Sequence, residues 1–112
     1  MLRDRISEVM TNRVVTVNPD DSVYDAACVM AEKNIGSIIV VSDGRVLGIL
    51  TYRDILRNLS RSLVDASVSD LMVREVIDIP PETKIADAAD IMVKHNIRHL
   101  PVVRDGFLVG IV

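Results

Sequence analysis

Residues Asn34–Leu50 read NIGSIIVVSDGRVLGIL, and residues Asn96–Val112 read NIRHLPVVRDGFLVGIV. Both stretches open on Asn-Ile, pass through an apolar run ending in Val-Val, break at Asp-Gly, and close on a run containing Gly-Ile. Asp-Gly between β-favouring residues is a strong short-range signal for a two-residue hairpin turn. Each stretch therefore predicts two antiparallel strands: SIIVV with Val46–Leu50, and LPVV with Leu108–Val112. The leading strands are almost continuously apolar, as strands covered on both faces are.

The match extends outward at constant register. With an offset of 62 positions, Ile6–Leu50 aligns with Val68–Val112 without a gap, and 16 of 45 pairs are identical. Of the 29 mismatches, 11 exchange one aliphatic residue for another, and the chain is an internal duplication. In each copy a β-branched run, Val14–Val17 or Val76–Ile79, predicts a short strand. Pro19 or Pro81 then leads into a helix with Asp21 or Thr83 as expected N-cap. Apolar residues at 23, 26, 27 and 30, echoed at 85, 88, 89 and 92, form the stripe of a helix buried on one face. Cys28 is expected to pack toward that interior, whereas Asp25 and Asp87 fall off the stripe and should be solvated. Asn34 and Asn96 are placed to end the helices in a left-handed conformation.

Copy one continues through Tyr52–Leu59, read as a second helix, and the polar segment Ser60–Ser67 links the copies. The unit is β-α-β-β-α. Residues 1–60 hold the first repeat and 61–112 the second, which lacks the final helix. The class is mixed α/β (α+β). About 50 residues bury too little surface to stand alone. The expectation is that the two repeats pack sheet to sheet about a pseudo-two-fold axis, leaving two symmetry-related clefts.

Composition bounds the function. Hydrophobic residues make up 49% and aromatics 3%, so aliphatic side chains must fill the core. Thirteen basic and 16 acidic residues give a net charge of −3 without a basic block, which argues against nucleic acid as the main partner. No apolar run reaches the ~18–20 residues of a membrane span, and MLRDRISEVM carries charges where a signal peptide needs an apolar stretch. A single cysteine makes no internal disulfide, and the cytoplasm is the expected location.

Four features together resemble a tandem CBS-domain pair, or Bateman module: the Val9-Met10-Thr11 and Leu71-Met72-Val73 openings, NIGSIIVV with NIRHLPVV, the Asp-Gly hairpins, and GILTYRD at Gly48–Asp54. The resemblance implies a regulatory, non-enzymatic module. Such modules bind adenosine-containing ligands, pass occupancy on to an effector protein, and tend to form homodimers.

It also implies roles for individual residues. Thr51 and Asp54 match the family's Ser/Thr-x-x-Asp signature, the carboxylate accepting from a ribose diol. Spacing alone favours a capping box in which Asp54 bonds back to the Thr51 amide; the family context favours the ribose role, and the two are compatible. Arg98 and His99 match a basic pair that reaches phosphates, Arg98 by its planar fork and His99 through either ring nitrogen. Ile77 would offer backbone groups to an adenine edge, with Ile97, Pro101 and Ile49 around the ring. Ordinary core packing is the simpler reading for each of these four. The mate cleft would use Val15, Ile35, Gly36 and Ser37 with a Thr and an Asp near positions 113 and 116, past the last residue, and is expected to be weak. The ligand would be AMP, ADP, ATP or S-adenosylmethionine, with no further cofactor and no metal.

Catalysis has little support, because Cys28, His95 and His99 form no nucleophile–base pair and no phosphate-cradling glycine loop is present. His95 and His99 are four apart but separated by the helix-ending Asn96, with no third metal ligand. Two readings remain: a nucleotide sensor, or a dimerisation scaffold with vestigial clefts.

Overall fold

The computed structural model describes residues 4–112; Met1–Arg3, where the first-repeat span and the charged opening begin, lie outside the described residues. Helix α1 (Val23–Lys33) buries Val23, Ala26 and Met30. Its equivalent, here α4 (Ile85–His95), buries Ala88 most deeply. Each ends on the expected asparagine in the left-handed region, Asn34 at φ 55° and Asn96 at φ 53°. Asparagine tolerates this conformation better than most side chains.

The N-caps lie one residue later than expected. Ser22 caps α1, its hydroxyl accepting from the Asp25 N–H at 3.0 Å, while Asp21 accepts from Asn18 N–H at 2.9 Å and closes the preceding turn. In α4 the cap position is Lys84, which makes no side-chain cap bond. Ser22→Ala should therefore lower the unfolding free energy by about 1 kcal/mol in a denaturant melt. Lys84→Ala should stay within about 0.5 kcal/mol of the parent.

Both hairpins form as the Asp-Gly pairs require. Strands β2 (Ser37–Ser42) and β3 (Arg45–Thr51) pair antiparallel, as do β4 (Pro101–Arg104) and β5 (Phe107–Ile111). Asp43 and Gly44 have φ of 52° and 79°, and Asp105 and Gly106 have 54° and 86°. Two successive positive φ values give the turn whose twist matches the strands. The register slips after Val40 and after Val102, the same place in each repeat.

The leading strands are shorter than the sequence suggests. Strand β1 (Thr16–Val17) pairs parallel with β2, but in the second repeat only Ile79 bridges β4, at Val102. Pro80 follows directly and has no N–H with which to extend the ladder. Helix α2 (Tyr52–Leu56) is also shorter than the expected Tyr52–Leu59, the chain continuing in turns to Arg61.

Cys28 is a correction, since it is exposed. Its equivalent in the second repeat is Asp90, also exposed, and both face away from the Ala26–Met30 and Ala88–Met92 sides. The Ser60–Ser67 segment is more than a polar link, because Ala66 is buried in the core.

The chain packs as two compact units whose membership does not follow the repeat boundary. A central unit comprises Val15–Val76, and a second joins the opening segment up to Val14 with Ile77–Val112. In the second unit, Ile6 N–H donates to the Thr83 carbonyl at 2.8 Å and Ser7 N–H to Pro81 at 3.0 Å. Ile85 N–H donates to Asp4 at 2.8 Å, and Thr11 and Ile111 exchange bonds of 2.8 and 2.9 Å. The central unit repeats the set at the 62-residue offset: Val68 to Asp21 (2.8 Å), Ser69 to Pro19 (2.9 Å), Val23 to Ala66 (2.9 Å), and a reciprocal Val73–Ile49 pair (2.9 Å each). Each repeat's opening strap thus completes the other repeat's unit.

The straps supply core as well as hydrogen bonds. Helix α3 (Val68–Leu71) and Met72 join Val17, Val23, Met30, Val40 and Leu50 in the central core. Ile6, 1% exposed, joins Ile79, Ala88, Leu100 and Val102 in the other, with Met10 packed against them. Each strap turn is closed by its own acid: Glu8 accepts from Arg5 N–H at 3.2 Å and Asp70 from Ser67 N–H at 3.1 Å. The Ser67 N–H holds the Asp70 carboxyl below the usual carboxylate range.

Candidate functional site

Strand β3 runs directly into α2, so Thr51 sits in extended backbone (φ −119°, ψ 163°) while Asp54 occupies the first helical turn. The Thr51 N–H and its Oγ1 both donate to Asp54 Oδ2 at 2.9 Å, and the Asp54 N–H returns a bond to Thr51 Oγ1 at 3.3 Å. The expected capping box is therefore formed. Both bonds to the carboxylate fall on Oδ2, so the acceptor sites of Oδ1 are not used by the box. Asp54 and Thr51 are half-buried, which fixes the carboxylate while leaving it reachable.

Ser37, assigned from the sequence to the weaker cleft, is the cross-strand partner of Thr51. Gly36 accepts the Tyr52 N–H at 3.1 Å, and the Tyr52 ring passes 3.8 Å from where a Gly36 Cβ would stand. The central unit thus brings Gly36, Ser37, Thr51 and Asp54 together at one end of the β2–β3 hairpin. No sequence periodicity signals this grouping, which comes from hairpin register; Tyr52 was missed for the same reason. Ile49 and Ile35 are half-buried, Ile35 packing on the core below, and Val15 is 36% exposed.

In the other unit, Arg98 and His99 are both exposed. They lie on a short segment tied at each end: Ile97 N–H donates to Met92 at 3.0 Å, and Leu100 exchanges two 3.0 Å bonds with Val112. Ile77 is 37% exposed and Ile97 half-buried on the core. Pro101 is fully buried, its carbonyl accepting the Ile79 N–H at 3.1 Å. His95 ends α4 and is separated from His99 by the left-handed Asn96. Among the described residues no three His, Cys, Asp or Glu side chains gather as metal ligands.

The profile of the CBS domain matches residues 6–61 and 68–112. The chain is a CBS-domain pair. CBS pairs are a family of regulatory modules, and the mixed α/β fold described above is theirs. The chain is 38% identical over 109 residues to the CBS domain-containing protein YhcV of Bacillus subtilis, covering 96% of this chain and 78% of that protein. It is 37% identical over 109 residues to the inosine-5'-monophosphate dehydrogenase of Thermoplasma acidophilum, covering 96% of this chain but 22% of that enzyme. The likeness to a dehydrogenase is thus confined to its CBS portion. Among solved structures, the CBS pair superposes with a TM-score of 0.91 and 27% identity on protein MJ1225 of Methanocaldococcus jannaschii, a proposed archaeal homologue of g-AMPK, covering 97% of this chain and 44% of that one. No helix among the described residues is long and apolar enough to cross a membrane.

Proposed function

We propose that this CBS pair is a sensor of an adenosine-containing nucleotide, with Thr51 and Asp54 taking the ribose and Arg98 and His99 taking phosphate. The observation that carries the reading is the half-buried Asp54 carboxylate, locked through Oδ2 to Thr51, which is the cross-strand partner of Ser37. A diol offers two donors, and Oδ1 has two acceptor sites for them. A guanidinium fork and an imidazole on a segment tied at both ends suit a phosphate group. AMP, ADP, ATP and S-adenosylmethionine all carry the ribose, so the phosphate side distinguishes them. The module passes occupancy to an effector and is itself non-catalytic.

A thermal-shift panel of these compounds and free adenosine tests the reading. Ligand at 100 times its dissociation constant should add about 2.7 kcal/mol of stability. Asp54→Ala should cost about 1 kcal/mol without ligand, through the lost cap, and abolish the shift with every adenosine compound. Arg98→Ala should weaken AMP, ADP and ATP but leave adenosine unaffected. A chain that shifts with none of them is a scaffold. An Asp54→Ala protein that keeps the full shift places the ribose elsewhere and leaves Asp54 as a cap alone.

A further inference from the structure

Two routes join the Thr51–Asp54 box to the second repeat's opening strap, both within Val15–Val76. The first runs along β3. Ile49, two residues before Thr51, exchanges N–H bonds of 2.9 Å with Val73. The bare Gly48 beside it admits Met72, whose Sδ would stand 2.7 Å from a Cβ there. Leu50 and Ile55, which flank the box, are buried in one core with Val68, Leu71 and Met72 of the strap.

The second route runs through the turns after α2. The Asn58 N–H goes to the Ile55 carbonyl at 3.0 Å rather than to Asp54, one residue earlier. The Asn58 side chain takes that place, its Nδ2 donating to the Asp54 carbonyl at 2.7 Å, and so satisfies a group that the helix end leaves open. The Arg61 N–H donates in turn to the Asn58 carbonyl at 3.0 Å. Arg61 Nη2 lies 3.5 Å from Asp70 Oδ2, the oxygen that accepts the Ser67 N–H and closes the strap turn. Both members of this ion pair are about half exposed, and such pairs contribute little to stability. What the pair does fix is the position of the strap turn relative to the end of α2.

We propose that Asn58 and Arg61 are positioning residues that tie the Thr51–Asp54 box to the strap, so that a ligand held by Asp54 tightens residues 67–73 on β3. The ligand is that of the nucleotide reading, whereas the route stands on the bonds alone. A carboxylate that accepts from Thr51 through Oδ2 and from a diol through Oδ1 is held at both oxygens, which steadies the first turn of α2. Asn58 carries that restraint to the following turns, and Arg61 carries it to Asp70. Rigidity passed on in this way couples two places without a change of fold. The strap is also the covalent way out of the central unit, since the second unit resumes at Ile77.

Amide hydrogen exchange of the full chain, with and without saturating AMP as the probe, gives the test. AMP should slow exchange at Ile49, Ser67 and Val73 roughly fivefold or more beyond its effect at residues 40–42, the far end of β2. Asn58→Ala and Arg61→Ala should lose that extra protection and, because coupling is reciprocal, bind AMP more weakly by about the same factor. Arg61→Lys keeps the charge and should restore most of both. A merely structural role would speed exchange equally with and without AMP and leave the extra protection intact, which would overturn the link. So would strap protection no greater than that at residues 40–42. A ligand-free arm separates the link from the nucleotide reading: Asp54→Ala, shown to be folded by circular dichroism, should exchange faster at 67–73 than the parent does. If AMP fails to bind but this variant loosens the strap, the nucleotide reading falls and the link stands. If AMP binds and the strap of Asp54→Ala exchanges as in the parent, the link falls and the nucleotide reading stands.

Discussion

A chain lacking residues 1–11 is expected to lose the folded unit formed by Ile77–Val112 while keeping most of the central one. The deletion removes Ile6 and Met10 from the core and every strap hydrogen bond to Pro81, Thr83, Ile85 and Ile111. Emptying the Ile6 site alone should cost on the order of 2–5 kcal/mol, as large-to-small core changes do. Native domains hold only about 5–15 kcal/mol in total, so the full deletion exceeds what a unit of this size can absorb. Hydrogen exchange read by mass spectrometry reports the result segment by segment: protection should vanish across 77–112 and persist in α1, β2 and β3. Equal protection in the truncated and full chains would show that the strap only decorates the second unit. Preferential loss within 15–76 would show that the strap belongs to the first repeat after all.

Gly48→Val should be nearly as damaging, by the mirror route. A Cβ at Gly48 would stand 2.7 Å from Met72 Sδ and 2.8 Å from the Val73 carbonyl oxygen. Methionine can yield, but the carbonyl is held by its bond from Ile49 N–H. The substitution therefore drives the second strap off β3 and withdraws Val68, Leu71 and Met72 from the central core. Overpacking of this kind costs about 1–3 kcal/mol, and loss of strap packing adds to it. Even Gly48→Ala should lower the denaturation midpoint clearly. A Cβ at Gly110 would stand 2.6 Å from Met10 Sδ and 3.0 Å from the Thr11 carbonyl oxygen, so Gly110→Ala should do the same to the other unit. An alanine variant as stable as the parent at either site would mean that the strap can shift without loss.

Those two glycines show where sequence reading succeeds and where it stops. Their identity across the repeats was visible, but the reason is a close approach by a segment far along the chain, and no local pattern records that. Features governed by near neighbours were legible: the left-handed Asn34 and Asn96, the Asp-Gly turns, the helical stripes and the Thr51–Asp54 box. The strap exchange was not, because a three-residue turn at Ile6–Glu8 and single bridges at Thr11 and Ile79 carry no period to detect. Cys28 was misread because it was judged against its own stripe. Comparison with Asp90, its duplicate, would have placed it outside. At the candidate site the cap could be predicted from spacing, whereas the neighbourhood of Ser37 and Thr51 depended on the hairpin register.

The traded straps also bear on what one repeat could do by itself. A polypeptide carrying a single copy has its own strap and an acceptor edge, yet the pairing seen here is always with the other copy. Such a half-length chain would reach a complete interior only by meeting another molecule, and its folding would weaken on dilution. Covalent fusion of the two halves holds donor and acceptor at a fixed effective concentration, so assembly of each interior becomes a first-order event that dilution does not touch.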